Sequence, residues 1–499
     1  MPGYTRRIVV GQEIEGDIGR MHLGMRATLL AAVSVIGWST ASVQAQTLQE
    51  ALALTYNNNP TLLAARAQLR GVDEGVPQAL AGWRPTVVMA GSYGVADMRT
   101  RNQVQQFRSD GSFFFRDPTF PQSTTIRQER TLSTATITLT QPIYRGGRTT
   151  SQTRQAENLV LAQRARLLAT EQQVLGESVS AYIGVIQSGE LLRLNINNEQ
   201  VLARQLQATN ERFRVGEITR TDVAQAESRL AGARTARTQA EGNLQIARAT
   251  YERVIGEAPR RLTNPQPLQP AVRNQAEAQA TAIASNPNVV AALFNAAAAR
   301  DNIDVQASAL MPQLSGNAQA FRNDNAVFPH TRQNGGQVTL NLSAPIFQGG
   351  AEYASVRQAR QTAQQTLSQV DEARRAAAEQ AARAWETLVS ARAAVASVRV
   401  QIRAQEIALD GVQREAIVGS RTTLDVLNAE QELLNARTSL VNALTAVVTG
   451  SYALAASVGR LTAQDLGLAV ELYDMTAYYQ AVRNRWVGTG DFSNVSARR

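Results

Sequence analysis

The chain contains a long internal duplication, which constrains its fold more than any other feature of the sequence. The stretch Gln141–Gly147 returns as Ala344–Gly350, and Arg214–Glu227 returns as Ile417–Glu430. Five pairs of landmarks are separated by 203 positions: Pro142 and Pro345, Gly147 and Gly350, Gly216 and Gly419, Asp222 and Asp425, and Gly256 and Gly459.

The offset between the copies changes once. Pro60 pairs with Pro287 and Pro85 with Pro312, both at 227 positions. The difference between offsets of 227 and 203 means that the first copy carries 24 additional residues between Pro85 and Pro142. A long repeat with one length change describes one structural unit used twice, and it excludes most enzyme folds.

Composition narrows the class of protein further. The 499 residues include 5% aromatics, 33 Gly and 15 Pro, too few aromatics for one large globular core and too few Gly and Pro for disorder. No cysteine occurs, which excludes disulfides, thiolate metal sites and cysteine nucleophiles. The net charge of +9 comes from arginines interleaved with Glu and Asp, so we expect solvated helix surfaces and no nucleic-acid partner.

The first 45 residues have the pattern of an N-terminal extension and signal peptide. Arg26 precedes the apolar run Ala27–Gly37, and small residues in Ala41–Ala45 precede a cleavage point after Ala45. Met21 and Met25 are alternative starts. We expect an exported protein without a lipid anchor, since no cysteine follows the cleavage point.

A second apolar stretch, Thr438–Gly459, is long enough to cross a bilayer. Its counterpart in the first copy, Thr235–Gly256, carries five charged residues. Two copies of one unit are not expected to lie one in lipid and one in water. The buried face of a helical bundle is the preferred interpretation.

The order of elements predicts four segments after the signal peptide. Repeat 1 spans 46–256, with a β-hairpin at about 86–141 and a helical hairpin at about 147–256. A Pro-rich linker spans 257–275. Repeat 2 spans 276–459, with a β-hairpin at about 313–343 and a helical hairpin at about 350–459, and a C-terminal tail spans 460–499.

The predicted strands alternate between apolar and polar residues. Thr134–Gln141 and Gln337–Ser343 follow a period of two, which is typical of strands with one wet and one apolar face. We expect a long polar loop over Asp97–Arg130 and a short one over Asn323–Gly336. Four strands cannot close into a barrel, so the alternatives are two small sheets on a soluble protein or a barrel assembled from several chains.

The predicted helices are very long. Arg148–Arg214 and Ala351–Val418 lack proline, and each predicts a helix of roughly 65 residues, about 100 Å long. Coiled-coil spacing joins them to returning helices through short Val-Gly turns. Leu427, Leu434 and Val441, for example, step by seven.

These features together resemble the TolC family of outer-membrane efflux proteins, over Thr47 to about Leu466. The resemblance rests on the two strand-to-helix junctions and on the tip Val418–Ala429. It implies a mostly α protein with a small β portion, in which duplicated helical hairpins form a periplasmic tunnel. Two β-hairpins per chain would give four strands to a trimeric, 12-stranded outer-membrane barrel. The junction residues are Pro142, Gly146, Gly147, Pro345, Gly349 and Gly350.

The resemblance also implies partners and a gate. The partners are outer-membrane lipid, a periplasmic membrane-fusion adaptor and an inner-membrane ABC or RND transporter. Asp425 matches an acidic position of the closed aperture, Arg421 a tip arginine that helps to hold it shut, and Asp222 a partner for Arg421. Asn428 replaces a second acidic residue, which implies a weaker cation preference. The docking tips would be Val215, Gly216 and Glu217 in one copy and Val418, Gly419 and Ser420 in the other.

A simpler role exists for Asp222 and Asp425. Each lies near the N-terminus of a returning helix, where a carboxylate stabilises the helix dipole. This role does not exclude a place in a pore, where a ring of carboxylates favours cations.

We identify no catalytic constellation and expect no cofactor. The two histidines, His22 and His330, lie far from any candidate partner in the sequence. The leading hypothesis is an outer-membrane channel for type I protein secretion, multidrug efflux or both. The alternative is a soluble periplasmic coiled-coil scaffold or adaptor.

Overall fold

The computed structural model describes residues 46–103, 106–107, 113–114, 123–326, 330–490 and 492. The predicted signal peptide lies outside them. The first copy consists of α1 (Leu48–Asn58), α2 (Pro60–Asp73), α3 (Gly75–Leu80), β1 (Thr86–Gln103), β2 (Gln106–Phe107), β3 (Phe113–Phe114), β4 (Ser123–Arg145), α4 (Arg148–Arg214) and α5 (Arg220–Ile255). The second copy and the tail consist of α6 (Gln275–Ser285), α7 (Pro287–Ala307), β5 (Gln313–Asp324), β6 (Arg332–Ser343), α8 (Ala351–Ile417), α9 (Thr423–Ser457) and α10 (Ala477–Val482).

A buried asparagine lies at the junction between the two short helices of each copy. Asn59 caps α2 with its side-chain oxygen, and its Nδ2 donates to the carbonyl of Val254 at 2.9 Å. Asn286 caps α7 in the same way and donates to the carbonyl of Ser457 at 3.2 Å. Each asparagine therefore connects the helix junction to the end of the returning long helix. The two copies thus share equivalent individual hydrogen bonds as well as the same order of elements.

The long helices confirm the expected length. α4 and α8 contain 67 residues each, which corresponds to about 100 Å. α5 returns along α4 and α9 along α8, and apolar side chains of α8 such as Val398 and Ile402 are partly buried.

Apolar side chains form three clusters along the bundle. The largest joins α1, α2, α4, α5 and the tail around Tyr182 and Tyr251. A second joins α6, α8 and α9 around Leu388 and Leu454. The third lies toward the tips, where Leu427 packs between α4 and α5.

The four long strands form one antiparallel sheet in the order β1-β4-β5-β6. The register places Met89, Ile137 and Ala320 side by side, and the same face carries the exposed side chains of Val338 and Leu340. The opposite face carries Thr134, Thr136, Thr138 and Thr140 of β4. In the described part of the chain, β1 and β6 each pair on one side only, so both edges of this sheet are open.

The structure corrects the predicted loop over Asp97–Arg130. β1 continues to Gln103 and β4 begins at Ser123, so the strands take up part of the additional residues of the first copy. This end of the ladder carries charged side chains: Arg127 of β4 forms an ion pair of 2.8 Å with Asp97 of β1. β5 and β6 likewise extend into the shorter predicted loop.

Among the described helices, α9 is long and apolar enough to cross a bilayer by length and composition. Within the chain it packs against α8 and α4, and Tyr452, Leu454 and Ala455 near the end of the apolar stretch are buried. These contacts agree with the predicted place of its apolar residues in the bundle.

The C-terminal tail packs along the first copy. Glu171 of α4 is buried and accepts a hydrogen bond of 2.7 Å from the backbone of Ala463. Further on, Arg483 forms an ion pair of 2.9 Å with Glu157, and Arg84 lies 5.0 Å from the centre of the Trp486 ring. The tail thus extends from the core toward the start of β1.

Candidate functional site

The tip of the second helical hairpin is a tight, glycine-dependent turn. Gly419 has a φ of 83°, a left-handed conformation that favours glycine. The backbone N–H of Ser420 donates to the carbonyl of Glu415 at 3.0 Å, which satisfies a free carbonyl at the end of α8. The side chain of Val418 is 78% exposed beside this turn.

The first hairpin ends in the same turn. Gly216 also has a φ of 83°, and the N–H of Glu217 donates to the carbonyl of Arg212 at 3.0 Å. The side chains of Arg212 and Glu217 are joined at 2.6 Å. Val215 is 74% exposed, so each tip presents an exposed valine to solvent. The predicted docking residues therefore lie on the two exposed turns.

Asp222 and Asp425 both cap the helices that begin at the tips. Asp425 accepts from the backbone N–H of Thr422 at 3.0 Å and from its hydroxyl at 2.9 Å, and Asp222 makes the same capping box with Thr219. These hydrogen bonds lower the pKa of both carboxyls. Both side chains are therefore held against their own helices and stay charged near neutral pH.

Arg421 has a different partner from the one expected. Its Nε donates to Oε2 of Glu415 at 2.9 Å, within the second hairpin. Within the chain, this contact replaces the anticipated bond to Asp222, whose carboxylate is occupied by Thr219. Within one chain the contact with Asp222 is not made, because the capping box orients that carboxylate toward its own helix.

A contact between the two hairpins lies just above the tips, and the sequence analysis missed it. Arg229 of α5 donates through its guanidinium to Oδ1 of Asn428 at 2.9 Å. The neighbouring Leu427 is buried against Leu202, Ala226 and Leu230. Only the heptad position of Leu427 signalled this interface, since no local pattern identifies which helices become neighbours.

The strand-to-helix junctions also depend on glycine. Gly146, Gly147, Gly349 and Gly350 all have positive φ, between 61° and 89°. At Gly146 an added Cβ would lie 2.5 Å from the Cβ of Met311, so this junction is closely packed as well as left-handed. A register irregularity separates Pro142 from Tyr144 in the pairing of β4 with β5. Pro345 follows the end of β6.

In the described ranges, no group of three or more His, Asp or Glu side chains is arranged to hold a metal ion.

Comparisons with known proteins agree with this geometry. The profile of the outer membrane efflux protein family matches residues 39–257 and 279–460. The chain is 34% identical over 463 residues to the outer membrane efflux protein BepC of Brucella suis, covering 93% of this chain and 95% of that protein. It is 24% identical over 308 residues to the alkaline protease secretion protein AprF of Pseudomonas aeruginosa, covering 60% of this chain and 64% of that protein.

A solved structure shares the fold. The CmeC outer membrane channel of Campylobacter jejuni superposes with a TM-score of 0.72 at 14% sequence identity. The superposition covers 88% of this chain and 89% of that one.

Proposed function

The chain belongs to the outer membrane efflux protein family, and from this premise we propose that three copies assemble into one export channel. The channel would carry substrates from the periplasm through the outer membrane without chemical change. The observation that carries the proposal is the four-stranded sheet, with one apolar face and two open edges.

Closure of the sheet supports the number of copies. In an antiparallel sheet of four strands, β6 of one copy can pair with β1 of the next in the same antiparallel pattern. Two copies would supply eight strands, and barrels of about eight strands are filled by their own side chains. Three copies supply twelve strands, which leaves room for a lumen lined by the threonine face.

The helices would continue this barrel into the periplasm. α4 and α8 follow directly from the strand-to-helix junctions, and at 67 residues each they give a duct of about 100 Å. Val215 and Val418 on the exposed turns would be contact points for a periplasmic adaptor and an inner-membrane transporter.

The substrate class remains open between two alternatives. BepC is named as an efflux protein and AprF as a protease secretion protein. A passive duct suits both, because selection of the substrate would take place at the transporter. Deleting the gene and comparing secreted proteins with sensitivity to toxic compounds would distinguish them.

Location in the outer membrane is the first test of the channel itself. Fractionation should place the mature protein in the outer membrane, with migration on gels that changes on heating. Recovery from the soluble periplasm would support the alternative of a coiled-coil scaffold, and it would contradict the channel.

A further inference from the structure

The two helical hairpins of one chain are joined near their tips by two adjacent contacts. The first is apolar: Leu427 of α9 is 1% exposed and packs against Leu202 of α4 and Leu230 of α5. The second is polar, the 2.9 Å hydrogen bond from Arg229 of α5 to Asn428 of α9. Leu427 and Asn428 are consecutive, so both contacts hold the same turn of α9.

The other polar contacts of the tips stay within a single hairpin. Arg212 pairs with Glu217 in the first hairpin, and Arg421 pairs with Glu415 in the second. The capping boxes are local to the starts of α5 and α9. These contacts shape each tip without fixing one hairpin to the other, whereas the contact from Arg229 crosses between them.

The contact between Arg229 and Asn428 is not duplicated by the repeat. At an offset of 203, Arg229 corresponds to Glu432 and Asn428 corresponds to Gln225. The donor therefore belongs to the first copy alone and the acceptor to the second. Another side-chain hydrogen bond between the hairpins, from Gln187 of α4 to Asn442 of α9 at 2.9 Å, lies farther from the tips.

We propose that Arg229 is a positioning residue for the periplasmic aperture, which holds Asn428 and thereby keeps the second hairpin against the first. Opening of the aperture breaks this hydrogen bond. The inference rests on the proposed channel function. Because Asn428 is a neutral acceptor, the bond is weaker than an ion pair and can be released when the hairpins separate.

The chemistry predicts opposite effects for two substitutions. Arg229→Ala removes the donor and loosens the second hairpin, so single-channel conductance in planar bilayers should rise, by about twofold or more. Asn428→Asp replaces the neutral acceptor with a carboxylate, which binds a guanidinium more strongly. Its conductance should stay at or below the wild-type value. A matched control is Arg237→Ala, because Arg237 contacts Glu199 and Glu241 within the first hairpin only.

A cross-link tests the contact within one preparation of protein. The chain has no native cysteine, so an Arg229→Cys/Asn428→Cys variant can be joined by a short, reducible bismaleimide without background reaction. The unlinked variant should conduct more than the wild type, the linked one should return to the wild-type conductance, and reduction should raise it again.

The outcomes separate this inference from the channel itself. A wild-type protein that never conducts overturns the proposed function. A conducting wild type with unchanged conductance in Arg229→Ala, or with the same rise in Arg237→Ala, overturns the role of Arg229. If Arg229→Ala fails to assemble, the linked and reduced forms of the double variant decide, and equal conductance in both overturns the proposal.

Discussion

Arg421 donates a hydrogen bond of 2.9 Å to Glu415 across the turn of the second hairpin. The two residues flank the Val418–Ser420 turn, so their contact orders the tip of one hairpin. Both side chains are about half exposed, at 51% each, and such a pair adds little to overall stability. Its importance is therefore expected in the geometry of the aperture.

Arg421→Ser and Glu415→Gln should both raise single-channel conductance, since either one breaks this pair and frees the turn. The thermal stability of the two variants should match the wild type, because the pair is exposed. Planar-bilayer recordings and a melting curve measure both quantities. Unchanged conductance in both variants would remove the pair from the gate.

Asp425→Ala should reduce the preference of the channel for cations, while Thr422→Ala should not. Both variants lose the capping box of α9, but only the first loses the negative charge. Reversal potentials in a salt gradient compare them. An equal loss of selectivity in both variants would mean that Asp425 acts through the helix end and contributes no field to the pore.

Cation preference should also be constant from pH 8 down to about pH 5. Hydrogen bonds from Thr422 lower the pKa of Asp425 below its ordinary value of 3.8. The stabilising cap is therefore present above that value and is lost only as the pH falls through the lower, folded pKa. A selectivity that changes in the weakly acidic range would contradict this assignment of charge.

Asp73→Asn should stabilise the protein near neutral pH. Burial raises the pKa of Asp73 to about 6, and neither carboxylate oxygen has a hydrogen-bond partner. The unfolded chain loses this proton near 3.8 and the folded chain keeps it to about 6. Stability should therefore fall as pH rises through that interval, by about 3 kcal/mol in total.

Melting curves at fixed scan rate across this interval test the effect of Asp73. The variant should have a higher melting temperature than the wild type near neutral pH. Its melting temperature should not show the fall between pH 3.8 and about 6 that Asp73 causes in the wild type. Asp301→Asn is the control, because it removes a negative charge that lies 3.6 Å from Arg154 and should therefore not stabilise the protein. A lower melting temperature for Asp73→Asn near neutral pH would contradict the prediction.

Tyr182→Phe should destabilise the protein by about 1 kcal/mol, because it removes a buried hydroxyl that bridges the backbone of Gln46 and Thr263. The Tyr182 hydroxyl lies 2.9 Å from the carbonyl of Gln46 and accepts from the N–H of Thr263 at 3.1 Å. Tyr251 is the matched control: it is also fully buried, its ring lies 6.3 Å from that of Tyr182, and its hydroxyl has no partner. Tyr251→Phe should be neutral or stabilising, and equal losses in both variants would contradict the account.

The sequence predicted the elements whose signals are local. Period-two alternation identified the strands, and the absence of proline from Arg148 to Arg214 identified the length of α4. Strand ends were missed because Asp97 and Arg127 resemble loop residues until their pairing across the ladder is known. Charge alone does not distinguish a paired strand end from a loop.

Most contacts at the candidate site could not be predicted from the sequence, because they depend on which helices become neighbours in the fold. The capping role of Asp425 follows from its position three residues after Thr422 and was predictable. The bond from Arg229 to Asn428 joins residues 199 positions apart, and no local pattern indicates it. The partner of Arg421 within the chain was also not predicted, since the turn geometry brings Glu415 closer than sequence spacing suggests.

Cross-linking of the two open sheet edges tests the central claim, a barrel closed by three chains, most directly. Single cysteines can be placed on β1 and at successive positions of β6 in this cysteine-free chain, and the protein oxidised in outer membranes. At the paired register, denaturing gels should show covalent dimers and trimers and no larger species. A ladder that continues beyond the trimer, or no cross-link at any position of β6, would contradict the closed barrel.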